Sequence, residues 1–332
     1  MVDFIPPAAR RVVVLGTGGT IAGRAASSGD NIGYTAGEVP VADLLGGIAA
    51  PEGITLAAEQ VAQLDSKDMG FDVGLQLAQR CAALLSEADV AGVVITHGTD
   101  TIEETAYFLH AVLAPAKPVV LTCAMRPASS LSPDGPQNVR DAMAVAATAG
   151  AGGVTVVCAG TIHGAPDVQK VHTYRADAFA SGDAGPVGYV EEGAVRRLRD
   201  WPRSGAPFAL DAAEIAAMGW PRVEVVMSHA GASGALIDLL VQERASGAAA
   251  PVRGLVLAAT GNGTVHHALE AAALRAQQAG IEVLRATRCA SGRILPRPDD
   301  RLRDAGALTP VKARIALMLE LLAVKKKAQG AA

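Results

Sequence analysis

The chain of 332 residues alternates short, continuously apolar runs with longer amphipathic stretches. Val, Leu and Ile dominate Arg11–Leu15, Gly92–Thr96, Pro118–Thr122 and Val154–Cys158, and Ile54–Leu64 gives a longer strand pattern. Between them Gly70–Leu85, Thr101–Leu113 and Gln137–Ala149 follow a helical period. Strands apolar on both sides need cover on both faces, which crossover helices give a parallel sheet. The pattern predicts an α/β fold. It resumes with strands at Val223–Met227, Gly254–Ala259 and Ile281–Arg285, and helices at Gly234–Glu243, Val265–Gln278 and Pro310–Val324.

Residues 191–221 break the rhythm, gathering charges, Pro202, Pro207, Pro221 and both tryptophans. The expected organisation is a large N-terminal α/β domain over residues 1–190, a connection over 191–221, and a smaller C-terminal α/β domain over 222–332. Half the residues are hydrophobic but only 3% aromatic, so aliphatic side chains must fill both cores. A net charge of −4 argues against a nucleic-acid partner. The one basic run, Lys325–Lys327, reads as a solvated helix end. No secretory leader and no membrane span is read, and Cys81, Cys123, Cys158 and Cys289 stand singly, as reduced thiols do. With no HExxH, and His266-His267 read as a helix-surface pair, neither metal nor cofactor is expected, and the location expected is cytoplasmic.

Polar turns follow several of the strands. The run VVITHGTDTIEETAYFL stops its apolar strand at His97-Gly98-Thr99-Asp100-Thr101. Thr101 to Glu104 has the spacing of a capping box, which explains Thr101 but not Thr99 or Asp100. Those two lie past the carboxyl end of a strand, where open α/β sheets bind ligands. VVVLGTGGTIAG repeats the geometry, with Thr20 behind Gly16, Gly18 and Gly19. A dinucleotide-binding oxidoreductase is one reading of these glycines. The GxGxxG spacing fits poorly, however, and the acidic residue about 20 positions on is missing. The following RAASSGDNIGYTAGE reads as a lid loop carrying Tyr34. Asp65-Ser66-Lys67-Asp68 ends another strand, and Lys170 sits among apolar neighbours, with Asp100 as its expected partner. Together Thr20, Thr99, Asp100, Lys170 and Tyr34 suit acyl transfer, because a threonine alcohol needs a nearby base before it attacks a carbonyl.

These stretches resemble the bacterial L-asparaginase family of the two-domain, homotetrameric kind. The resemblance lies in TGGTIAG (17–23), DSKDM (65–69), ITHGTDTIEETAYFL (95–109), AMRPASSLSPDGPQN (124–138), DVQKVHT (167–173) and GNG (261–263). It implies hydrolysis of L-asparagine to L-aspartate and ammonia through a threonine acyl-enzyme. Either threonine is a candidate for the ester, and the glycine-rich turn and closing loop favour Thr20. Tyr34 would then assist Thr20, while Thr99, Asp100 and Lys170 would activate water. The Thr99 amide would serve the oxyanion, Ser66 and Asp100 would hold the α-carboxylate and α-amino group, and Gly19 would line the pocket. Asn262 would reach the pocket of a neighbouring subunit. The chain departs from the family at Lys67, which would either tighten carboxylate binding or pair with Asp65 or Asp68. CASGRILPRPDDR offers no Glu for the substrate amino group, and the disulfide of some secreted relatives is not matched. A dual-specificity glutaminase-asparaginase is the near alternative.

Overall fold

The computed structural model describes residues 10–203 and 205–330. It divides between Pro207 and Phe208 into two compact units. In the first, five strands run parallel: β1 (Arg10–Gly18), β2 (Ile54–Leu64), β3 (Val90–Thr96), β4 (Pro118–Thr122) and β5 (Gly153–Cys158). Their order across the sheet is β2-β1-β3-β4-β5. Three antiparallel strands extend it beyond β5: β6 (Thr161–Gly164), β7 (Gly188–Glu191) and β8 (Ala194–Arg197). Helices α1 (Phe71–Ser86), α2 (Ile102–Leu113) and α3 (Gly135–Ala147) make the crossovers.

Every residue of β3 is buried, which is why that strand reads as an unbroken apolar run. At the sheet edge β2 alternates in exposure instead. The first sheet runs on to Arg197, past the boundary at residue 190 expected from the sequence. Its last hairpin hides in the sequence because edge strands carry charge against further pairing. Arg196 bonds Glu191 at 2.7 Å and lies over the ring of Tyr189.

The chain leaves β1 toward one side of the sheet for β2, then crosses back to β3 on the other side. Between β1 and β3 the connections diverge, and at such a switch point open α/β sheets place ligands beyond the carboxyl ends of the strands. The polar turns singled out in the sequence follow β1, β2 and β3.

The second unit holds parallel strands β9 (Val223–Met227), β10 (Gly254–Ala259), β11 (Glu282–Thr287) and β12 (Arg303–Asp304), in that order. Its helices are α4 (Ala212–Met218), α5 (Ala235–Ala245), α6 (His267–Gln278) and α7 (Pro310–Gly330). Ile237, Leu255, Leu257, Leu269 and Val283 are among the residues that form its core. The basic run near the end of α7 is not simply solvated, as the sequence suggested. Lys325 donates to the Met218 carbonyl at 3.0 Å, while Lys326 donates to Ala209 at 2.8 Å and pairs with Glu214 at 2.6 Å. Among the described residues no helix is long and apolar enough to cross a membrane.

Candidate active site

β1 does not end at Leu15, where its apolar run stops, but carries on through the Gly-Thr-Gly to Gly18. Thr17 ties this extension to β3 by donating its hydroxyl to the Thr96 carbonyl at 2.8 Å. Gly18 and Gly19 then take φ of +98° and +81°, a succession that glycine adopts without strain. A Cβ on Gly19 would run into the backbone of Gly98, and one on Gly98 into the Ser66 side chain. The turns after β1 and β3 thus meet backbone to backbone, and the turn after β2 meets them through the Ser66 side chain. Gly16 is likewise filled by protein: a Cβ there would stand 2.6 Å from Val41 and 2.8 Å from Gln60.

Two hydroxyls lie buried in these turns. Thr20, 5% exposed, opens a short 3-10 turn, Thr20–Ala22, and its Oγ1 is 2.6 Å from the Tyr34 hydroxyl. Tyr34 sits on a short hairpin that pairs Arg24–Ala25 with Tyr34–Thr35. Thr99, also 5% exposed, accepts from Lys170 Nζ at 2.8 Å, and the same ammonium reaches Asp100 Oδ1 at 2.6 Å. The pairing of Gln169–Lys170 with Phe179–Ala180 fixes the lysine backbone, next to the buried Val168. Ser66, 2% exposed, accepts from the Asp100 amide at 3.2 Å.

Thr101 requires a correction. It stands at the N-cap of α2 but makes no side-chain cap. Its hydroxyl donates instead to the Ser66 carbonyl at 2.8 Å, fastening the start of α2 to the turn after β2. Lys67 is taken up by its neighbours, Asp65 at 2.6 Å and Asp68 at 3.5 Å. The hydrogen bond to Asp65 raises its pKa above the ordinary lysine value. Asn262 belongs to the second unit, where its amide donates to the Leu295 carbonyl at 3.0 Å and accepts from the Leu295 N–H at 2.7 Å.

Several supporting residues were given no role from the sequence. His97 is fully buried, which pushes its pKa down to about 4. Since a carbonyl only accepts, His97 Nδ1 carries the proton to the Gly98 oxygen at 2.7 Å, and Nε2 accepts from Thr105 at 2.9 Å. Asp134 accepts from the backbone amides of Met125 and Arg126 at 3.0 and 2.9 Å. Asn138 donates to the Cys123 carbonyl and accepts from the Ala159 amide, both at 2.9 Å, binding the ends of β4 and β5 together. The only signal for these was their place within ITHGTDTIEETAYFL for His97 and AMRPASSLSPDGPQN for Asp134 and Asn138. All four cysteines are free, with Cys289 alone exposed. His266 caps α6 by accepting from Ala268, its ring stacked on His267. Among the described residues no group of three His, Cys, Asp or Glu could hold a metal ion.

Residues 11–203 match the model of the asparaginase N-terminal domain, and residues 222–330 that of the glutaminase/asparaginase C-terminal domain. The chain belongs to the asparaginase family. It is 34% identical to L-asparaginase 2 of Bacillus subtilis (strain 168), over 93% of this chain and 81% of that one. To the glutaminase-asparaginase of Pseudomonas fluorescens biotype A it is 35% identical, over 93% and 86%. Its fold matches the crystal structure of a probable cytoplasmic L-asparaginase from Campylobacter jejuni with a TM-score of 0.85. That match has 35% identity and covers 94% of this chain and 95% of the other. In this asparaginase-family chain one buried hydroxyl faces a phenol and the other an ammonium–carboxylate pair. Each alcohol therefore has its own proton-exchanging partners, in turns that follow neighbouring strands of one sheet.

Proposed function

We propose that this chain hydrolyses L-asparagine to L-aspartate and ammonia through an ester on Thr20. The observation that carries the reading is the 2.6 Å Thr20–Tyr34 hydroxyl pair, set in a glycine turn against the turn of Thr99, Asp100 and Lys170. Thr20 Oγ attacks the side-chain amide carbon as Tyr34 assists removal of its proton. The C–O bond forms, the C–N bond breaks, and the nitrogen leaves protonated as ammonia. Thr99, with Lys170 and Asp100, then directs water onto the β-aspartyl ester, freeing aspartate and restoring the Thr20 hydroxyl.

Substrate placement follows from what each group has left to offer. Ser66 Oγ accepts from the Asp100 amide, so its own proton can go to the α-carboxylate. The exposed side of the Asp100 carboxylate suits the α-ammonium. His97 holds the Gly98 carbonyl, so the N–H of Thr99 in the same trans peptide points the opposite way and serves the oxyanion. Gly19 lines the pocket between them. The glycines of the first turn are packed on protein rather than open to a pyrophosphate, which leaves the oxidoreductase reading without support.

Relatives of both specificities match about equally, which favours a dual glutaminase-asparaginase as the second reading. One methylene separates substrates by only about 1–3 kcal/mol. A cytoplasmic homotetramer, with Asn262 of each chain serving a neighbour's pocket, completes the proposal. The cytoplasmic part is supported by likeness to the probable cytoplasmic L-asparaginase of Campylobacter jejuni. The test is ammonia release from L-Asn and L-Gln by wild type and Thr20→Ala, with the particle mass read by light scattering. Rapid release from L-Asn that Thr20→Ala loses supports the reading, and the L-Gln rate sets its specificity. A folded wild type that releases ammonia from neither amide overturns it.

A further inference from the structure

The hairpin that carries Tyr34 is held from two sides. After it, the amides of Gly37, Glu38 and Val39 bond the carbonyls of Gly19 and Ala22 at 3.2, 2.8 and 2.9 Å. Before it, the hairpin meets the segment that follows β4. Ala128 donates to the Gly23 carbonyl and Leu131 to the Ser28 carbonyl, both at 3.0 Å. Between these two backbone bonds, Ser129 Oγ accepts from the Ala25 amide at 2.8 Å.

Ala25 is the cross-strand partner of Tyr34, so the Ser129 hydroxyl grips the rung on which the phenol stands. Each arm of the hairpin is two residues long, too short to hold its own shape. Its tip lies in solvent, with Ile32 79% exposed, and provides no apolar anchor. The opposing segment is fixed by Asp134, which binds the amides of Met125 and Arg126, and by Arg126, which bonds the Ser132 carbonyl at 3.1 Å.

The geometry points to Ser129 as a positioning residue whose hydroxyl latches the hairpin where Tyr34 meets Thr20. This rests on the Thr20–Tyr34 chemistry proposed above and names the side chain that keeps the phenol in reach. Ser129→Ala lowers kcat/KM for L-asparagine about 3- to 10-fold, chiefly in kcat, and Ser129→Thr restores most of it. In a Tyr34→Phe background Ser129→Ala has no further effect, because the group it positions is gone.

A second measurement does not depend on turnover. Trypsin cuts after the exposed Arg24, inside the latched arm. Ser129→Ala speeds that cut several-fold while leaving the melting temperature and the other tryptic sites as in wild type. Unchanged cleavage at Arg24, or losses that multiply in the double variant, would overturn the latch. A wild type inactive on every amide would sink the hydrolase reading, yet the Arg24 cut would still decide whether Ser129 holds the hairpin.

Discussion

Thr20 and Thr99 share a side chain and a degree of burial and differ in their neighbours, a phenol for one and an ammonium for the other. If Thr20 forms the ester and Thr99 serves its hydrolysis, Lys170→Met should release one ammonia per site rapidly and then turn over slowly. Steady-state kcat falls about 10²- to 10⁴-fold while the first burst remains, as rapid-quench measurement will show. In Thr20→Ala both burst and turnover disappear. A Lys170→Met enzyme with no burst would assign Lys170 to the first step instead. Thr20 and Thr99 stood out in the sequence because each is a hydroxyl in a turn after an apolar strand with no packing task to explain it, and Lys170 because its charge interrupts an apolar stretch. Thr101 was misread because its spacing to Glu104 is that of a cap, whereas its hydroxyl serves a carbonyl that lies 35 residues away in sequence. Ser129 was invisible for a related reason: its partner is a backbone amide, and backbone atoms leave no mark on a sequence.

Among the elements, the long parallel strands were easy to read, while the antiparallel strands and the two-residue β12 were not. Burial on both faces makes β3 a continuous apolar word, while β7 and β8 mix charge with short length at the sheet edge. The join between β4 and β5 depends on Asn138, which spans the Cys123 carbonyl and the Ala159 amide from α3. Asn138→Leu keeps the volume but strips both backbone groups of their partner. It should cost about 2–4 kcal/mol, measurable as a lower urea midpoint with an unchanged slope. Loss of less than about 0.5 kcal/mol would mean that water replaces the amide without penalty. The close approach of the turns after β1 and β3 makes a sharper forecast. Gly98→Ala places a methyl against Ser66 and must displace the turn that holds Thr99 and Asp100. Activity should fall by about 10²-fold or more even where circular dichroism is unchanged.

At the scale of the whole molecule, His97 links the site to acid stability. Its folded-state pKa of about 4 lies below the ordinary 6.5, so as pH falls the unfolded chain takes up the proton first. The stabilisation is complete above about pH 6.5 and is lost progressively toward pH 4, with a span of about 3 kcal/mol. Urea unfolding at pH 7.5 and 4.5 should therefore show a larger loss for wild type than for His97→Asn, which can keep the bond to the Gly98 carbonyl. Equal losses would remove His97 from the account. The contact between Gly19 and Gly98 has a consequence for how such a chain can change over generations. Most packing partners can drift together, one shrinking as the other grows. Here each glycine is already at the smallest size, and a side chain on Gly19 would strike main chain, which no mutation can trim. Neither position can be rescued by the other, so variation must flow around this point in the molecule rather than through it.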